Sequence, residues 1–462
     1  MTDVRGRSIF GTFFHAPAPG ALEVLHEAVV AVDEKGTISR VARRGESGYE
    51  AARAAADVVL PDGCYLLPGF VDLHVHAPQY PQLGQALDVP LEVWLQKYTF
   101  PLEARYANTD FARRSYEALV ADLLSHGTTT GLYFATVHQE ATRLLVDICL
   151  EKGQRALVGK VVMDDPATCP DFYRDGSTEA ALADTRAFID YVRAHPDNGE
   201  ARVLPVVTPR FIPSCTDESL AGLGKIAAES GCHVQTHCSE SDWEHGFVLE
   251  RHGVTDTESL DRFGLLTRRT VLAHGTFITG ADMDRIAQRG SAVAHCPLSN
   301  VYFSSAVFPL RAAMARGVRV GLGTDISGGP SASLFDSVRM ALAAGRMLEI
   351  GVNPDLPPER RGRPDSRIDT ATAFHLATAA GGHALDLPIG QFTPGYHFDA
   401  MLIDTRVPDG TIRILAESSL EDVLQKILYL ASKPNIVQVW VGGHSVATRT
   451  PSAIKTVPSN PS

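Results

Sequence analysis

The sequence has few cysteines, and they show no pairing pattern. Seven occur in 462 residues, with no C-x-x-C motif and no regular spacing. A disulfide framework usually shows an even number of cysteines at short intervals in a small secreted chain. The pattern excludes such a framework and indicates reduced thiols, so we expect a cytoplasmic protein.

Long apolar runs are absent as well. No stretch approaches the roughly 18 consecutive apolar residues that a membrane-spanning helix requires. The segment Met1 to Phe14 carries charges of both signs and has no apolar core before a small-residue cleavage site. We therefore expect neither a signal peptide nor a membrane partner.

Positive charge is in deficit. The chain has 42 Lys and Arg against 54 Asp and Glu, a formal net charge of −12. Affinity for nucleic acid rests mainly on clustered Lys and Arg, so we expect no nucleic-acid partner. The remaining composition, 44% hydrophobic and 21% charged, is that of a globular chain with enough material for one large domain and a smaller one.

What the sequence does contain is a regular alternation of apolar strands and amphipathic helices. Eight strands are predicted from residue 69 onwards, with helical segments between most of them. They are 69–76, Thr129–Thr136, Ala156–Met163, Val203–Pro209, His233–His237, Thr270–His274, Ala292–His295 and Val318–Asp325. This pattern predicts an α/β fold with a (β/α)8 TIM-type barrel, whose functional residues gather at the carboxyl ends of the strands.

The two ends of the chain have a different pattern, in which predicted strands are not separated by long amphipathic helices. Short strands broken by turns are predicted before residue 67. After a small-residue helix at Thr370–Leu385, strands return at Phe392–Asp404 and Ile436–Val446. Because both ends share this pattern, we expect them to fold together.

The predicted domain organisation is therefore discontinuous. Residues 1–67 and 388–450 are expected to build a small β-sandwich domain, and residues 68–387 the metal-dependent barrel domain. The polar tail 451–462 contains Pro and Ser and is predicted to be disordered.

One predicted strand carries two histidines. His74 and His76 are two residues apart, so both project from the same face of the strand. A lone His-x-His is more often a packed pair than a metal site. What favours a metal is that His237, His274 and Asp325 end three further predicted strands, the fifth, sixth and eighth. In a barrel these strand ends meet at one mouth, so we expect all five side chains to lie close together.

Imidazole and carboxylate donors together suit a borderline divalent ion. Three imidazoles and one carboxylate fit Zn²⁺ or Fe²⁺ and leave one coordination position for water. The metal lowers the pKa of water bound in this way, so that the water becomes a hydroxide near neutral pH. The donor set therefore predicts metal-assisted hydrolysis.

Other polar residues near these strand ends allow two interpretations each. Glu240 lies three residues beyond His237, where it could shuttle protons or simply favour the first turn of a helix. Asp72 shares the face of the two histidines, where it could orient a ligand ring or fill the barrel. Cys238 points away from that face and is a poor ligand. His295 is expected to be structural or to support the ligands from behind.

Several segments resemble the amidohydrolase superfamily, in its branch of aminohydrolases that use one metal ion. Within that branch they resemble the members that deaminate guanine, and Trp94–Pro101 is the most specific part. The segments are Pro68–His76, His76–Tyr80, Trp94–Pro101, Thr128–Thr130, Tyr133–Thr136, Val158–Val161, Thr208–Phe211, Gln235–Glu240, Leu272–Gly275, Ala294–Pro297 and Gly323–Asp325. The likeness runs from about residue 65 to residue 446.

The resemblance implies hydrolytic deamination of guanine to xanthine and ammonia, and it assigns three groups of residues by position. The implied metal ligands are His74, His76, His237 and Asp325. The implied catalytic residues are Glu240 as proton shuttle, His274 as the histidine that orients water, and Asp325. The implied substrate-binding residues are Gln79, Arg210, Phe211 and Trp94, the last of which helps close the pocket.

The chemistry of the reaction is consistent with these assignments. Attack at C2 of guanine needs a proton delivered to N3, which Glu240 could carry before passing it to the departing amine. His274 could hydrogen-bond the attacking oxygen. Arg210 offers donors to O6, and the amide of Gln79, donor and acceptor at once, suits the mixed edge of a purine.

The expected number of metal ions follows from a difference between this chain and other members of the superfamily. Members with two metal ions place a carboxylated lysine at the end of the fourth strand, where this chain has Thr208-Pro209-Arg210. Lys160, on the third strand, is not expected to bridge metals. We therefore expect one divalent ion per chain, Zn²⁺ ahead of Fe²⁺, and the resemblance further implies a homodimer.

Two rival functions stay open at this point. A sister aminohydrolase could act on another purine or on a triazine ring, and Trp94, Arg210 and Phe211 would then differ in role. A metal-free scaffold could keep the barrel for binding alone. The other zinc deaminase type, H-x-E with a later P-C-x-x-C, is excluded because His138-Gln139-Glu140 has no such partner motif.

Overall fold

The strands fall into two sheets in this computed structural model, which describes residues 3–304, 306–408 and 410–449. The predicted tail 451–462 lies outside the described residues. In chain order the strands are β1 (Ser8–Ala18), β2 (Ala21–Val32), β3 (Ile38–Ala42), β4 (Val58–Val59), β5 (Cys64–Pro68), β6 (Phe70–His76), β7 (Thr128–Phe134), β8 (Arg155–Val162), β9 (Val203–Pro209), β10 (His233–Cys238), β11 (Thr270–His274), β12 (Ala292–His295), β13 (Arg319–Leu322), β14 (Ala400–Asp404), β15 (Ile436–Val441) and β16 (His444–Thr448).

Strands β6 to β13 build the barrel. Each pairs in parallel with the next along the chain, in the order β6 to β13. The ring closes between its first strand and the segment after its last: Asp325 N donates to the His74 carbonyl at 2.8 Å, and His76 N donates to the Ile326 carbonyl at 2.9 Å. We call these two hydrogen bonds the closure seam. The predicted (β/α)8 fold is confirmed.

Helices follow most barrel strands. In chain order they are α1 (Tyr49–Ala54), α2 (Leu91–Trp94), α3 (Phe100–Ala104), α4 (Thr109–Ser125), α5 (Gln139–Glu151), α6 (Thr178–Ala194), α7 (Asp217–Ser230), α8 (Asp242–His252), α9 (Asp256–Arg262), α10 (Gly280–Arg289), α11 (Pro297–Ser299), α12 (Leu310–Ala315), α13 (Leu334–Ile350), α14 (Pro358–Arg361), α15 (Thr370–Ala377), α16 (Ala379–Ala384) and α17 (Leu420–Leu430). Single π-helical turns cover Leu95–Thr99 and Asn300–Ser304.

Local sequence explains where the long barrel helices begin. Asn108, Ser177 and Thr216 each accept a hydrogen bond from the backbone N–H three residues later, at the starts of α4, α6 and α7. Such a cap satisfies one of the free N–H groups of a first helical turn. Apolar residues at helical spacing then face the barrel, and their burial holds each helix against the sheet.

The two chain ends together form the second sheet. Its strand order is β16-β15-β14-β5-β1-β2-β3, with β4 beside β1. The ends join where β14 pairs antiparallel with β5, from Ala400 opposite Pro68 to Asp404 opposite Cys64. These strands form one hydrogen-bonded sheet that curves as a half-barrel. The assignment of residues 1–67 and 388–450 to a separate domain stays a prediction.

Some predicted element boundaries are wrong. The helix predicted at Thr370–Leu385 is broken into α15 and α16 because Thr378 has a non-helical backbone, with φ −130° and ψ −97°. The strand predicted at Ile436–Val446 is two strands, since Gly442 and Gly443 turn the chain with positive φ. Of the predicted Phe392–Asp404, only β14 is a strand.

A buried ion pair joins the two sheets. Arg155, at the start of β8, donates from Nε to Asp399 Oδ2 at 3.0 Å, and Asp399 Oδ1 also accepts from Gly442 N at 2.7 Å. Burial alone would raise the pKa of Asp399, but Arg155 and the Gly442 N–H bring it below its ordinary value. Asp399 therefore favours the folded state in its charged form.

We expect Asp399→Asn to lower the free energy of unfolding by about 3 to 5 kcal/mol at pH 7, because it leaves the Arg155 guanidinium buried without its counter-charge. The native pKa is lowered, so this stabilisation is full above the unfolded-state pKa near 3.8 and is lost as pH falls through the native value. Urea unfolding at pH 7 and pH 3 measures both effects. Asp284→Asn, which removes an exposed partner of Arg316, is the control and should cost less than about 1 kcal/mol. Equal losses for the two variants would contradict the prediction.

Candidate active site

The carboxyl ends of β6, β10, β11 and the segment after β13 bring together the five side chains that the sequence singled out. His76 Nε2 lies 2.9 Å from His237 Nε2. Asp325 Oδ1 lies 3.0 Å from His74 Nε2 and 3.5 Å from His76 Nε2. On the other side, Asp325 Oδ2 lies 3.9 Å from His274 Nε2. All five are buried at one mouth of the barrel.

Left-handed backbone turns aim several of these side chains. Ser239, His274 and Asp325 have φ values of 51°, 70° and 51°. Non-glycine residues rarely adopt this region, and its cost is usually met at functional sites. The strand predicted to end at Asp325 in fact ends at Leu322, and the turn that follows directs the Asp325 carboxylate back over the ring of strands.

Asp72 holds that turn in place. Its carboxylate accepts from Thr324 N at 3.0 Å, Thr324 Oγ1 at 2.6 Å and His74 N at 3.2 Å. Burial raises the pKa of Asp72 to about 7, against the effect of these hydrogen bonds. From the sequence, Asp72 could orient a ligand ring or fill the barrel. In the structure Asp72 orients the backbone before Asp325 rather than an imidazole ring, so neither interpretation fully describes its role.

Hydrogen bonds fix two of the rings so that their lone pairs point inward. His237 Nδ1 donates to the Arg210 carbonyl at 2.5 Å, and His274 Nδ1 donates to Asn300 Oδ1 at 3.0 Å. The Nε2 atom of each ring then carries the lone pair. Burial lowers the pKa of His237 well below its ordinary value and also lowers that of His274, so both rings are neutral near pH 7.

The donor set fits a divalent metal ion. Among the described residues, His74 Nε2 is buried without a hydrogen-bond partner, as a metal-ligating nitrogen would be. Ligand atoms around a tetrahedral Zn²⁺ are about 3.3 Å apart, and the shortest separations here run from 2.9 to 3.5 Å. His74, His76 and Asp325 are one of the groups whose donor atoms lie within 4.8 Å of one another.

Glu240 lies beside this cluster and outside helix α8, which begins at Asp242. Its backbone N–H donates to Glu244 Oε2 at 2.7 Å, and its own Oε2 lies 3.7 Å from His274 Nε2. Burial, and then the nearby Asp325 carboxylate, raise the pKa of Glu240 well above its ordinary value. A carboxyl group in this position can hold a proton near neutral pH and release it to a neighbour.

A pocket opens directly above the cluster. All four residues expected to bind substrate line it: Gln79, Trp94, Arg210 and Phe211. The other lining residues are His76, Leu91, Leu95, His237, Glu240, Phe303, Asp325 and Gly328. The pocket therefore has polar groups at its base and along one wall, and apolar side chains around the rest, as small-molecule sites usually do.

The sequence did not point to Phe303. This residue lies in the π-helical turn at Asn300–Ser304, and its ring centroid is 5.0 Å from that of Trp94. The two aromatic side chains come from segments that follow the first and the seventh barrel strands. A π-turn often marks a functional site, but its position is not readable from residue types.

Glu103 is a second residue that the sequence did not reveal. It is fully buried in α3, and its carboxylate accepts from Arg210 NH1 at 2.6 Å and from Gln79 Nε2 at 2.9 Å. A buried arginine requires a counter-charge, so placing Arg210 inside the pocket implies an acidic partner. Residue types alone do not say which of the 54 acidic residues it is.

Three other residues weighed from the sequence lie away from the cluster or have other partners. Cys238 Sγ contacts Thr257 Oγ1 at 3.5 Å, consistent with its predicted outward orientation. Lys160 is paired with Asp175. The His295 ring packs at 5.1 Å on Phe308, and burial lowers the pKa of His295 to about 3.

No helix in the described part of the chain is long and apolar enough to cross a membrane.

Comparisons with known proteins show to which family the chain belongs. The Amidohydrolase family matches residues 65–446. Guanine deaminase of Dictyostelium discoideum is 33% identical over 452 residues, covering 94% of this chain and 97% of that protein. Guanine deaminase of Homo sapiens is 36% identical over 449 residues, covering 94% and 95%.

A solved structure is similar over nearly the whole chain. It is the guanine deaminase of C. acetobutylicum with guanine bound in the active site, with a TM-score of 0.85, 30% identity, and coverage of 95% of this chain and 99% of that one. Sequence relatives and this structure point to the same group of enzymes. The chain therefore belongs to the amidohydrolase family and, within it, to the guanine deaminases.

Proposed function

We propose that this protein hydrolyses guanine to xanthine and ammonia. The observation that carries the proposal is that a buried carboxyl group, Glu240, a guanidinium, Arg210, and side chains that could hold a metal ion line one pocket. Water adds to C2 of guanine: a C2–O bond forms, the C2–N bond to the exocyclic amine breaks, and ammonia leaves.

The metal ligands that we propose are His74, His76, His237 and Asp325. Three imidazoles and a carboxylate favour Zn²⁺, with Fe²⁺ as the alternative. When bound, such an ion supplies Lewis-acid activation of water near neutral pH. Burial lowers the pKa of the three histidines well below the ordinary value, which keeps these ligands unprotonated.

The pocket residues divide the proton transfers between them. Asp325 accepts a proton from the attacking water, and Glu240 delivers one to N3 and later to the departing amine. His274 Nε2, which carries the lone pair of the ring, accepts a hydrogen bond from the attacking water and so orients its oxygen towards the ring carbon. Because Glu240 Oε2 and Asp325 Oδ2 both lie within 4 Å of His274 Nε2, these transfers need no large movement of the side chains.

The pocket walls orient the purine. Arg210 directs N–H groups at O6, and the Gln79 amide faces the same edge of the ring. Phe211 and Trp94 supply apolar surface for a flat bicyclic ring, and Trp94 with Phe303 excludes bulk water. Guanine presents an acceptor, O6, to the N–H donors of Arg210. Adenine would present the N–H donors of its C6 amine to the same groups, so the pocket disfavours adenine.

The cellular setting is part of the same proposal. Guanine deamination belongs to purine breakdown, and all seven cysteines are free and buried, which supports a reducing, cytoplasmic location. We further propose a homodimer, which rests on the family resemblance alone.

A purine panel tests the function, and Arg210→Ala tests the pocket. We expect the wild-type protein to convert guanine to xanthine and to leave adenine and triazines unchanged. In Arg210→Ala the kcat/KM for guanine should fall about 100-fold, since a charged hydrogen bond to substrate is lost. Adenine has no amine at C2 to lose, so selectivity over adenine is measured as the inhibition constant of adenine relative to the KM for guanine, and this ratio should fall. Absorbance at the wavelengths of guanine and xanthine measures both.

The control for this experiment is Arg186→Ala, which removes an exposed partner of Glu229 and should leave the kinetics unchanged. Turnover of a triazine or another purine in preference to guanine would replace the proposal by the sister-enzyme alternative. An unchanged ratio of the adenine inhibition constant to the guanine KM in Arg210→Ala would contradict the role of Arg210.

A further inference from the structure

One carboxylate, outside the pocket lining, contacts both of the polar side chains that face the purine edge. Glu103 Oε1 accepts from Gln79 Nε2 at 2.9 Å and from Arg210 NH2 at 3.1 Å. Its other oxygen, Oε2, accepts from Arg210 NH1 at 2.6 Å. The Arg210 pair is therefore bidentate, the geometry that fixes a guanidinium plane most firmly.

The contacts also fix which way the Gln79 amide points. Gln79 Nε2 donates to Glu103, and Gln79 Oε1 accepts from Ser327 N at 3.1 Å. The flipped amide would place its carbonyl oxygen against the Glu103 carboxylate and its NH₂ against the Ser327 N–H. Both contacts would be repulsive, so one orientation is stable.

Glu103 also keeps a charged group stable inside the protein before any substrate is bound. Arg210 is 3% exposed, and an unpaired guanidinium at that depth would be strongly unfavourable. Burial by itself would lower the pKa of Arg210, and the Glu103 carboxylate raises it above its ordinary value. The ring of Phe100, in the same helix as Glu103, packs 5.0 Å from the guanidinium.

We propose that Glu103 is the positioning residue that sets selectivity at C6 of the purine, by holding Arg210 and Gln79 as a fixed array of donors. The proposal rests on the guanine-deaminase function proposed above. A guanidinium held in this way has N–H groups left over and no acceptor, so it pairs with an oxygen at C6 and opposes an amine there. Because the array is set before binding, little reorganisation opposes the correct substrate.

The sharpest probe is 2,6-diaminopurine, which keeps the reactive amine at C2 and changes O6 to an amine. In Glu103→Gln we expect kcat/KM for guanine to fall about 100-fold, mostly through KM, and that for 2,6-diaminopurine to fall less than about 5-fold. The preference for guanine should therefore shrink at least about 20-fold. Where turnover of the analogue is too slow, its inhibition constant replaces kcat/KM.

Glu103→Asp provides the conservative comparison, because it keeps the charge but withdraws the carboxylate by one methylene. We expect it to retain more of the C6 preference than Glu103→Gln. Glu117→Gln is the matched control: it removes a half-exposed partner of Arg113 in α4 and should change neither substrate. Metal content and melting temperature are measured for each variant.

A double variant keeps the test decisive if Glu103→Gln does not fold. Glu103→Gln/Arg210→Met removes both buried charges, and such a neutral pair is tolerated better than a single unpaired charge. If Glu103 acts through Arg210 and Gln79, adding Glu103→Gln to the double variant Arg210→Met/Gln79→Leu should change the C6 preference by less than about 3-fold.

Two results would overturn the inference. One is an equal loss of activity on guanine and on 2,6-diaminopurine in Glu103→Gln at full metal content, which is what a purely structural role predicts. The other is a further large loss of preference when Glu103→Gln is added to Arg210→Met/Gln79→Leu. A wild-type protein that does not deaminate guanine would instead refute the proposed function, and so the two failures are distinguishable.

Discussion

Replacing Glu240 by glutamine is expected to lower kcat for guanine by about 1,000- to 10,000-fold while the metal stays bound. Glutamine has nearly the same shape as glutamate but can neither accept the proton nor return it, and general acid–base catalysis contributes up to about this factor. The buried carboxyl, whose pKa is raised well above its ordinary value, is suited to that exchange. Substrate binding should be little affected, because the oxygen of the new amide still occupies the same place.

The measurement is steady-state kinetics on guanine together with elemental analysis of the purified variant. Glu250→Gln, an exposed residue in the same helix α8, is the control and should behave as wild type. Near-normal turnover in Glu240→Gln with metal present would show that another group carries the proton. Loss of metal in the variant would make Glu240 a ligand instead of a shuttle.

Removal of the metal should have the other large effect. We expect a chelator to reduce activity below about 1% of its starting value, since the nucleophile is then ordinary water. The apo protein should also unfold more easily, by about 4 kcal/mol when compared with protein at metal concentrations 1,000 times the dissociation constant. Activity should return on adding Zn²⁺ or Fe²⁺ alone, and the better of the two identifies the preferred ion.

Variants separate the metal cluster from histidines elsewhere. His76→Asn should reproduce the apo behaviour in the presence of metal, whereas His195→Asn should keep a full complement of metal, because His195 pairs with Asp147 away from the cluster. A protein that retains activity without metal would exclude the proposed chemistry. Only trace metal and no gain in activity on adding it would favour the scaffold interpretation.

The barrel was predictable because its signal repeats along the chain. Alternation of apolar strands and amphipathic helices appears in each repeat, and histidines at strand ends share one mouth whatever their distance in the sequence. His74 and His76 needed only the period of two to be placed on one face. The proximity of His237, His274 and Asp325 followed from the order of the strands.

The finer geometry depends on contacts that residue types do not encode. Asp325 lies in a left-handed turn held by Asp72, and a strand period cannot represent such a turn. The partner of Arg210 is Glu103, 107 residues away, in a segment where local pattern gives no direction. The break at Thr378 interrupts an otherwise helical run although threonine is tolerated in helices, so the residue type alone does not predict it.

The closure seam has a consequence for how the donor set is assembled. Asp72 and Thr324, which are 252 residues apart, meet only when the last strand of the ring reaches the first. The same step delivers the Asp325 carboxylate to the two histidines on β6. A chain still missing its final strand therefore has imidazoles but no carboxylate, and it captures an ion less tightly than the finished ring. Tight metal uptake thus reports that synthesis and folding of the barrel are complete.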